Sequence, residues 1–155
     1  MKTYKITLHR EMLQKEAPDV PMINSVTTAR YLRDHVFDAA EGYRESCHML
    51  LLDKQNRITG TFLLAVGGTD QADIDLKIAC KAAIESLAHG VILSHNHPSG
   101  DPTPGVNDIH LTEKIKKALA IFDISLVDHI VLGDDRFYSF ADEAVHPYKK
   151  TKKAA

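Results

Sequence analysis

Two histidines one residue apart, His95 and His97, are followed eleven residues later by Asp108 in the stretch SHNHPSGDPTPGVND, residues 94 to 108. Histidines at i and i+2 leaving a strand project to the same side, so both imidazoles can reach one metal ion. Borderline cations such as zinc take imidazole and carboxylate ligands, and Asp108 offers a third ligand if the loop folds back over the site. Pro98, Pro102 and Pro104 stiffen that return path, while Gly100 and Gly105 allow the backbone angles that tight turns need. Three protein ligands leave a fourth position for water, which is the arrangement of a metal hydrolase. Each member also has a plain structural explanation. An HxH pair occurs among ordinary surface or hydrogen-bonded histidines, and Asp108 suits the positive end of a helix dipole. It is the combination that points to a metal.

Such a site needs a base for its water. Glu45, where EGYRE runs into SCHMLLLD, stands where a carboxylate can overhang the end of a neighbouring strand, and Glu41 and Asp53 compete with it on spacing alone. The other seven histidines, His9, His35, His48, His89, His110, His129 and His146, are isolated and read as structural. His129, inside the apolar LVDHIV, is the one expected to be buried and paired.

The elements that must hold these groups can be read from periodicity. TYKITLH, residues 3 to 9, alternates as a short strand and is followed by a proline-bearing loop. SVTTARYLRDHVFDAA opens with Ser and Thr as candidate caps and spaces Ala29, Leu32, Val36 and Phe37 along one helical face, ending near Gly42. SCHMLLLD and RITGTFLLAVGG, separated by KQN, form a hairpin pattern. QADIDLKIACKAAIESLA places Ile74, Ile78, Ala79, Ala82, Ala83 and Leu87 around most of a helix, which predicts a well-buried one. GVILS, residues 90 to 94, is apolar throughout and too short for a helix, so it reads as a central strand with the histidines at its C-terminal end. Ile109, Ile115, Leu119 and Phe122 give residues 106 to 122 an amphipathic helical face, with Asp108 in its first turn. ISLVDHIVLGDDRFYSFAD then predicts two strands joined at GDD. Alternating strands and helices imply an α/β domain with a mixed sheet between helices, and ligands in such sheets bind beyond the carboxyl ends of strands.

Composition narrows the class. The chain has 155 residues, 44% of them hydrophobic and 26% charged, which suits one globular domain with its own core. A net charge of -2 gives no protein-wide positive field for a phosphate backbone, so broad nucleic-acid binding is not suggested. KKTKK at 149 to 153 reads as a solvated tail. Cys47 and Cys80 lack CxxC spacing and sit in apolar surroundings, the pattern of buried free thiols in a reducing compartment. With no membrane-length apolar run and no signal-peptide core, a cytoplasmic protein is expected. The expected organisation is an N-terminal strand and loop over 1 to 26, a domain over 27 to 142, and a basic tail over 143 to 155.

Glu45, HNHPSGDPTP and Asp108 together resemble the JAMM (MPN+) metalloprotease motif, a glutamate followed at long range by HxHPx6SxxD. The match is specifically to the RadC-like JAB domain. It runs from about residue 27 to 142 and includes LVDHIVLGDDRFYSF near its end. The resemblance implies the cytidine-deaminase-like α/β/α fold, zinc held by His95, His97 and Asp108, Glu45 as general base, and hydrolysis of amide or isopeptide bonds in a peptide or protein substrate. Two departures stand out. Gly105 occupies the position of the motif serine, which supports the oxyanion in the family; loss of one such donor costs roughly 100- to 1,000-fold in rate. Ser99, Thr103 or a water are the candidates to replace it. Longer RadC proteins also carry a helix-hairpin-helix DNA-binding domain, for which the 44 residues before Glu45 are too few. Two other readings follow: a DNA repair or mobile-element accessory factor, and a metal-stabilised interaction module with little catalysis. A zinc deaminase is disfavoured because the PCxxC ligand pair is missing.

Overall fold

The computed structural model describes residues 21–22, 24–68 and 73–148. The strand expected at residues 3 to 9 and the basic run at 149 to 153 lie outside the described residues. Helix α1 (Ser25–Tyr31) begins at Asn24, whose side chain accepts from the Thr27 amide at 2.8 Å. The cap is thus an asparagine one residue before the expected Ser and Thr; its amide oxygen serves the orphan N–H groups equally well. The predicted single helix is broken into pieces. A wider helical turn at Leu32–Val36 follows α1, then the extended Phe37, then a 3-10 turn at Ala39–Glu41. The break lets the Phe37 ring pack edge-on against His48, with centroids 4.5 Å apart.

Strands β1 (Ser46–Leu52) and β2 (Ile58–Val66) form the expected hairpin. Helix α2 (Leu76–Glu85) is shorter than its sequence pattern and is capped by Asp75, whose side chain accepts from the Lys77 amide. It buries only Ala79, Ala82 and Ala83, whereas Ile78 and Leu87 are 44% and 69% exposed. That corrects the expectation of burial around most of the helix. The small alanine face lets the backbone approach the sheet closely, and Leu87, at a φ of 55°, has already left the helix.

Strand β3 (Gly90–Asn96) is longer than GVILS alone, so His95 lies within it and His97 just past its end. Helix α3 (Val106–Ala120) buries Thr112, Ile115 and Leu119. The stripe is rotated from the expected one. Ile109 and Phe122 are 47% and 52% exposed, and a threonine takes the inward position one turn after Asp108. Strands β4 (Ser125–Leu132) and β5 (Arg136–Ser139) are joined at GDD as expected. Strand β6 (Ala144–Pro147) pairs with β5 inside the stretch expected to be tail. A proline is acceptable there because the outer side of an edge strand has no ladder bond to lose.

Among the described residues six strands form one sheet, in the order β2-β1-β3-β4-β5-β6. Only the β3–β4 pair is parallel, and α3 is its crossover. Alternation along the strands divides two cores. Cys47, Met49, Leu51, Val91 and Leu93 face α2 and α3, while Leu50, Leu52, Ile92, Ile130 and Leu132 face α1 on the other side. The result is the α/β/α layering that the sequence and the resemblance both imply. By the same parity His95 and Glu45 point to the α3 side, together with His129 one strand away.

Candidate metal centre

The loop after β3 is pinned against the β4–β5 turn. The His97 amide donates to the Leu132 carbonyl at 2.9 Å, the Gly100 amide to His97 O at 2.9 Å, and the Asp134 amide to Gly100 O at 3.1 Å. Gly100 has a φ of 80°, a left-handed conformation that favours glycine. At Gly133 a Cβ would strike the Gly100 carbonyl, so two glycines make this close approach possible. Asp101 tightens the next turn by accepting from the Thr103 amide at 3.0 Å and hydroxyl at 2.8 Å. The chain then enters α3 at Gly105.

The stiff loop brings His95, His97 and Asp108 together: one ligand atom from each lies within 4.8 Å of the others. His95 Nε2 is 3.0 Å from His97 Nε2 and 3.2 Å from Asp108 Oδ1. His97 Nε2 is 3.5 Å from Asp108 Oδ2, which also accepts from the Gly105 amide at 2.7 Å. Burial works against ionisation of Asp108, but its contacts with the two imidazoles and the Gly105 amide outweigh it and hold its carboxyl well below the usual range. Reciprocally, Asp108 raises the pKa of His97. The His97 Nδ1 sits 2.8 Å from the Asp101 carbonyl, which can only accept, so the Nδ1–H points there and Nε2 is left facing Asp108. Two imidazole nitrogens and a carboxylate that converge at one point suit a cation of the zinc class.

These groups line one cleft of about 880 Å³ with Glu45, Ser99, Thr103 and Gly105. Of the three acids weighed for the base, Glu45 alone lines it. Glu41 pairs with Arg44, and Asp53 accepts from the Gln55 and Arg57 amides in the β1–β2 turn, at the opposite end of β1. Glu45 is 9% exposed and clamped through its backbone: its amide donates to Gly68 O at 2.9 Å and its carbonyl accepts from Gly67 at 2.8 Å. Asn96, between the two histidines, completes the clamp. Its side chain accepts from the Ser46 amide at 2.8 Å and donates to the Arg44 carbonyl at 3.0 Å, holding both neighbours of Glu45. Sequence reasoning passed over Asn96, although an amide between two candidate ligands was a signal available to it.

Other expected residues are placed as follows. Thr103 already donates its hydroxyl to Asp101, whereas the Ser99 oxygen accepts from the Asp101 amide at 3.4 Å and retains its own proton for the cleft. At Gly105, φ is -80° and an added Cβ would meet nothing nearer than Asp108 Oδ2 at 3.6 Å, so the backbone has room for a serine. His110, read as structural, also lines the cleft. Cys47 and Cys80 are free, Cys47 fully buried and Cys80 half-buried, and burial pushes the Cys47 thiol up, with the charges of Glu45 and Asp108 adding to it. Cys47 is therefore no nucleophile. His129 is buried, as expected, and its partners are His95 at 2.9 Å and Thr112 at 2.7 Å.

Comparison with known proteins gives a family. The model of the RadC-like JAB domain family matches residues 22–145. A UPF0758 protein of Thermotoga maritima is 36% identical over 136 residues, covering 88% of this chain and 58% of the relative. One from Carboxydothermus hydrogenoformans is 39% identical over 100 residues, covering 64% and 44%, and one from Vibrio cholerae is 45% identical over 91 residues, covering 59% and 58%. The chain spans about half the length of these curated relatives, and their names state no activity.

Proposed function

The chain belongs to the RadC-like JAB domain family, and from that premise we propose that it is a zinc-dependent hydrolase of amide or isopeptide bonds acting on a peptide or protein segment. The observation that carries this reading is the convergence of His95, His97 and Asp108 in a cleft that Glu45 also lines. In this reading His95, His97 and Asp108 hold the ion. Zinc, when bound, supplies Lewis acidity, polarising a carbonyl and making water a stronger acid. Glu45 takes the proton of the attacking water and passes it to the leaving amine, a role that needs its carboxylate at a defined place. The clamp by Asn96, Gly67 and Gly68 supports that placement. Ser99, which lines the cleft while the Thr103 hydroxyl is engaged by Asp101, is the candidate to replace the missing serine hydroxyl.

The test is hydrolysis of fluorogenic peptide and isopeptide substrates, with metal analysis of the same preparations. The native chain is expected to carry about one zinc and to lose activity with chelator, and His95→Ala and Asp108→Ala to lose both metal and activity. Equal zinc in all three proteins contradicts the assignment. Gly105 favours a second reading, a metal-stabilised interaction module with little catalysis. Under it the native chain is inert and Gly105→Ser, which the backbone accommodates, gains hydrolysis. A DNA-associated role rests on the basic run at 149 to 153, and deletion of that run tests it by salt-dependent DNA binding.

A further inference from the structure

A metal-binding histidine must present a lone pair, and which of its nitrogens does so depends on the hydrogen bond made by the other. Behind His95 the structure contains a chain of contacts that decides this. Thr112 Oγ1 lies 2.6 Å from the Asp108 carbonyl oxygen and 2.7 Å from His129 Nδ1. His129 Nε2 lies 2.9 Å from His95 Nδ1. Thr112 has one proton to give, and the Asp108 carbonyl can only accept, so the hydroxyl donates back along the helix to Asp108. His129 must then donate from Nδ1–H to Thr112.

His129 is fully buried, stacked on Phe140 with rings 8° from parallel, and its ring nitrogens meet a threonine hydroxyl and another imidazole rather than a carboxylate that would compensate a second proton. It stays neutral, with one N–H and one lone pair. Its Nε2 therefore accepts, and His95 Nδ1–H donates to it. The His95 Nε2 lone pair is thereby turned toward His97 and Asp108.

The opposite polarity would put a proton on His95 Nε2 and leave the oxygens of Thr112 and Asp108 facing each other at 2.6 Å with nothing between them. We propose that Thr112 and His129 are positioning residues, a buried relay that reads the Asp108 carbonyl and sets His95 in the Nδ1–H tautomer. The relay rests on the metal-centre reading for its purpose, but its existence does not. Asp108 thus acts twice, through its carboxylate at the site and through its backbone carbonyl at the origin of the relay. The threonine in the apolar stripe of α3 and the histidine in an apolar strand have a common explanation.

The test uses the native chain with 15N-labelled histidine, metal-free at pH 9, and long-range proton–nitrogen correlation spectra assigned with His95→Ala and His129→Gln. The expected pattern is Nδ1–H for both His95 and His129; Nε2–H at either ring overturns the relay. Thr112→Val keeps the shape and removes the hydroxyl. It is expected to release the His129 tautomer and, if folded by its amide spectrum, to weaken zinc binding by roughly 10- to 100-fold, the usual cost of losing an outer-shell partner. His129→Gln, whose amide can donate to Thr112 and accept from His95, is expected to retain more affinity than His129→Leu. Unchanged tautomers and affinity in Thr112→Val would overturn the proposal. Failure of the native chain to bind zinc, with the tautomers as expected, would instead strike the metal reading and leave the relay standing.

Discussion

Adjacent residues of β4, Asp128 and His129, anchor two buried polar clusters of opposite kind. The Asp128 carboxylate accepts from Ser139 Oγ at 2.7 Å, from the His129 amide at 2.7 Å and from the Ala141 amide at 3.0 Å, and Ser139 in turn accepts from the Asp142 amide at 3.1 Å. Every group there meets a complementary group of the same chain. The His129 cluster passes through His95 to two imidazole nitrogens and a carboxylate that converge at the open cleft. A closed network builds the fold, here by fixing the corner after β5, whereas an open-ended one is built to meet something else. Two neighbours in sequence thus serve architecture and chemistry separately.

The largest expected effect separates chemistry from metal retention. Glu45→Gln should reduce hydrolysis by roughly 100- to 10,000-fold, the usual range for loss of a general base, while zinc content stays at the native level. Parallel loss of zinc would show that Glu45 supports the ligands instead. Next, Asp128→Ala breaks the closed cluster by leaving buried donors unmet. It should lower the unfolding free energy by roughly 2 to 4 kcal/mol in denaturant titration, with zinc retained in the folded fraction. Burial raises the Asp128 pKa, so Asp128→Asn should be much milder. If Asp128→Ala instead abolished zinc binding in folded protein, the two clusters would not be separable.

A smaller effect appears with pH. Burial lowers the pKa of both His129 and His48 in the fold, while the unfolded chain titrates near 6.5. Below that pH the unfolded state binds more protons, so stability is present above 6.5 and is lost as pH falls, by up to about 1.4 kcal/mol per pH unit for each group. His97, whose pKa is raised, works the other way as pH falls from 7 toward 6.5 and adds no further slope below that. Denaturant midpoints of the metal-free protein from pH 7 to 5 should therefore fall, and His129→Gln should flatten the curve. An unchanged slope in that variant would mean that His129 is not held neutral.

Much of the open cluster was legible because its spacing is local. His95, His97 and the aspartate one helical entry later are written in fifteen consecutive residues, and the prolines between them announce a stiff path. Glu45 was separable from Glu41 and Asp53 only by resemblance, since its nearness to His95 follows from antiparallel β1–β3 register, in which Cys47 stands opposite His95. The relay was illegible for the same reason. His129 reaches His95 because β4 lies parallel to β3, and Thr112 reaches both because α3 crosses that pair. Neither relation leaves a periodic trace. The apolar stripe of α3 was misplaced by choosing Ile109 and Phe122 over a threonine, and β6 was missed because AVHP carries too few alternating residues to register as a strand.

The central claim is that three side chains of this cleft hold a zinc ion, Asp108 through its carboxylate and the two histidines through Nε2 atoms selected by the loop and the relay. A crystal structure with anomalous data on both sides of the zinc edge tests it most directly. The account predicts one zinc peak within roughly 2.0 to 2.2 Å of His95 Nε2, His97 Nε2 and Asp108. A peak held through other residues or through Nδ1 of either histidine, or none in zinc-equilibrated crystals, would contradict it.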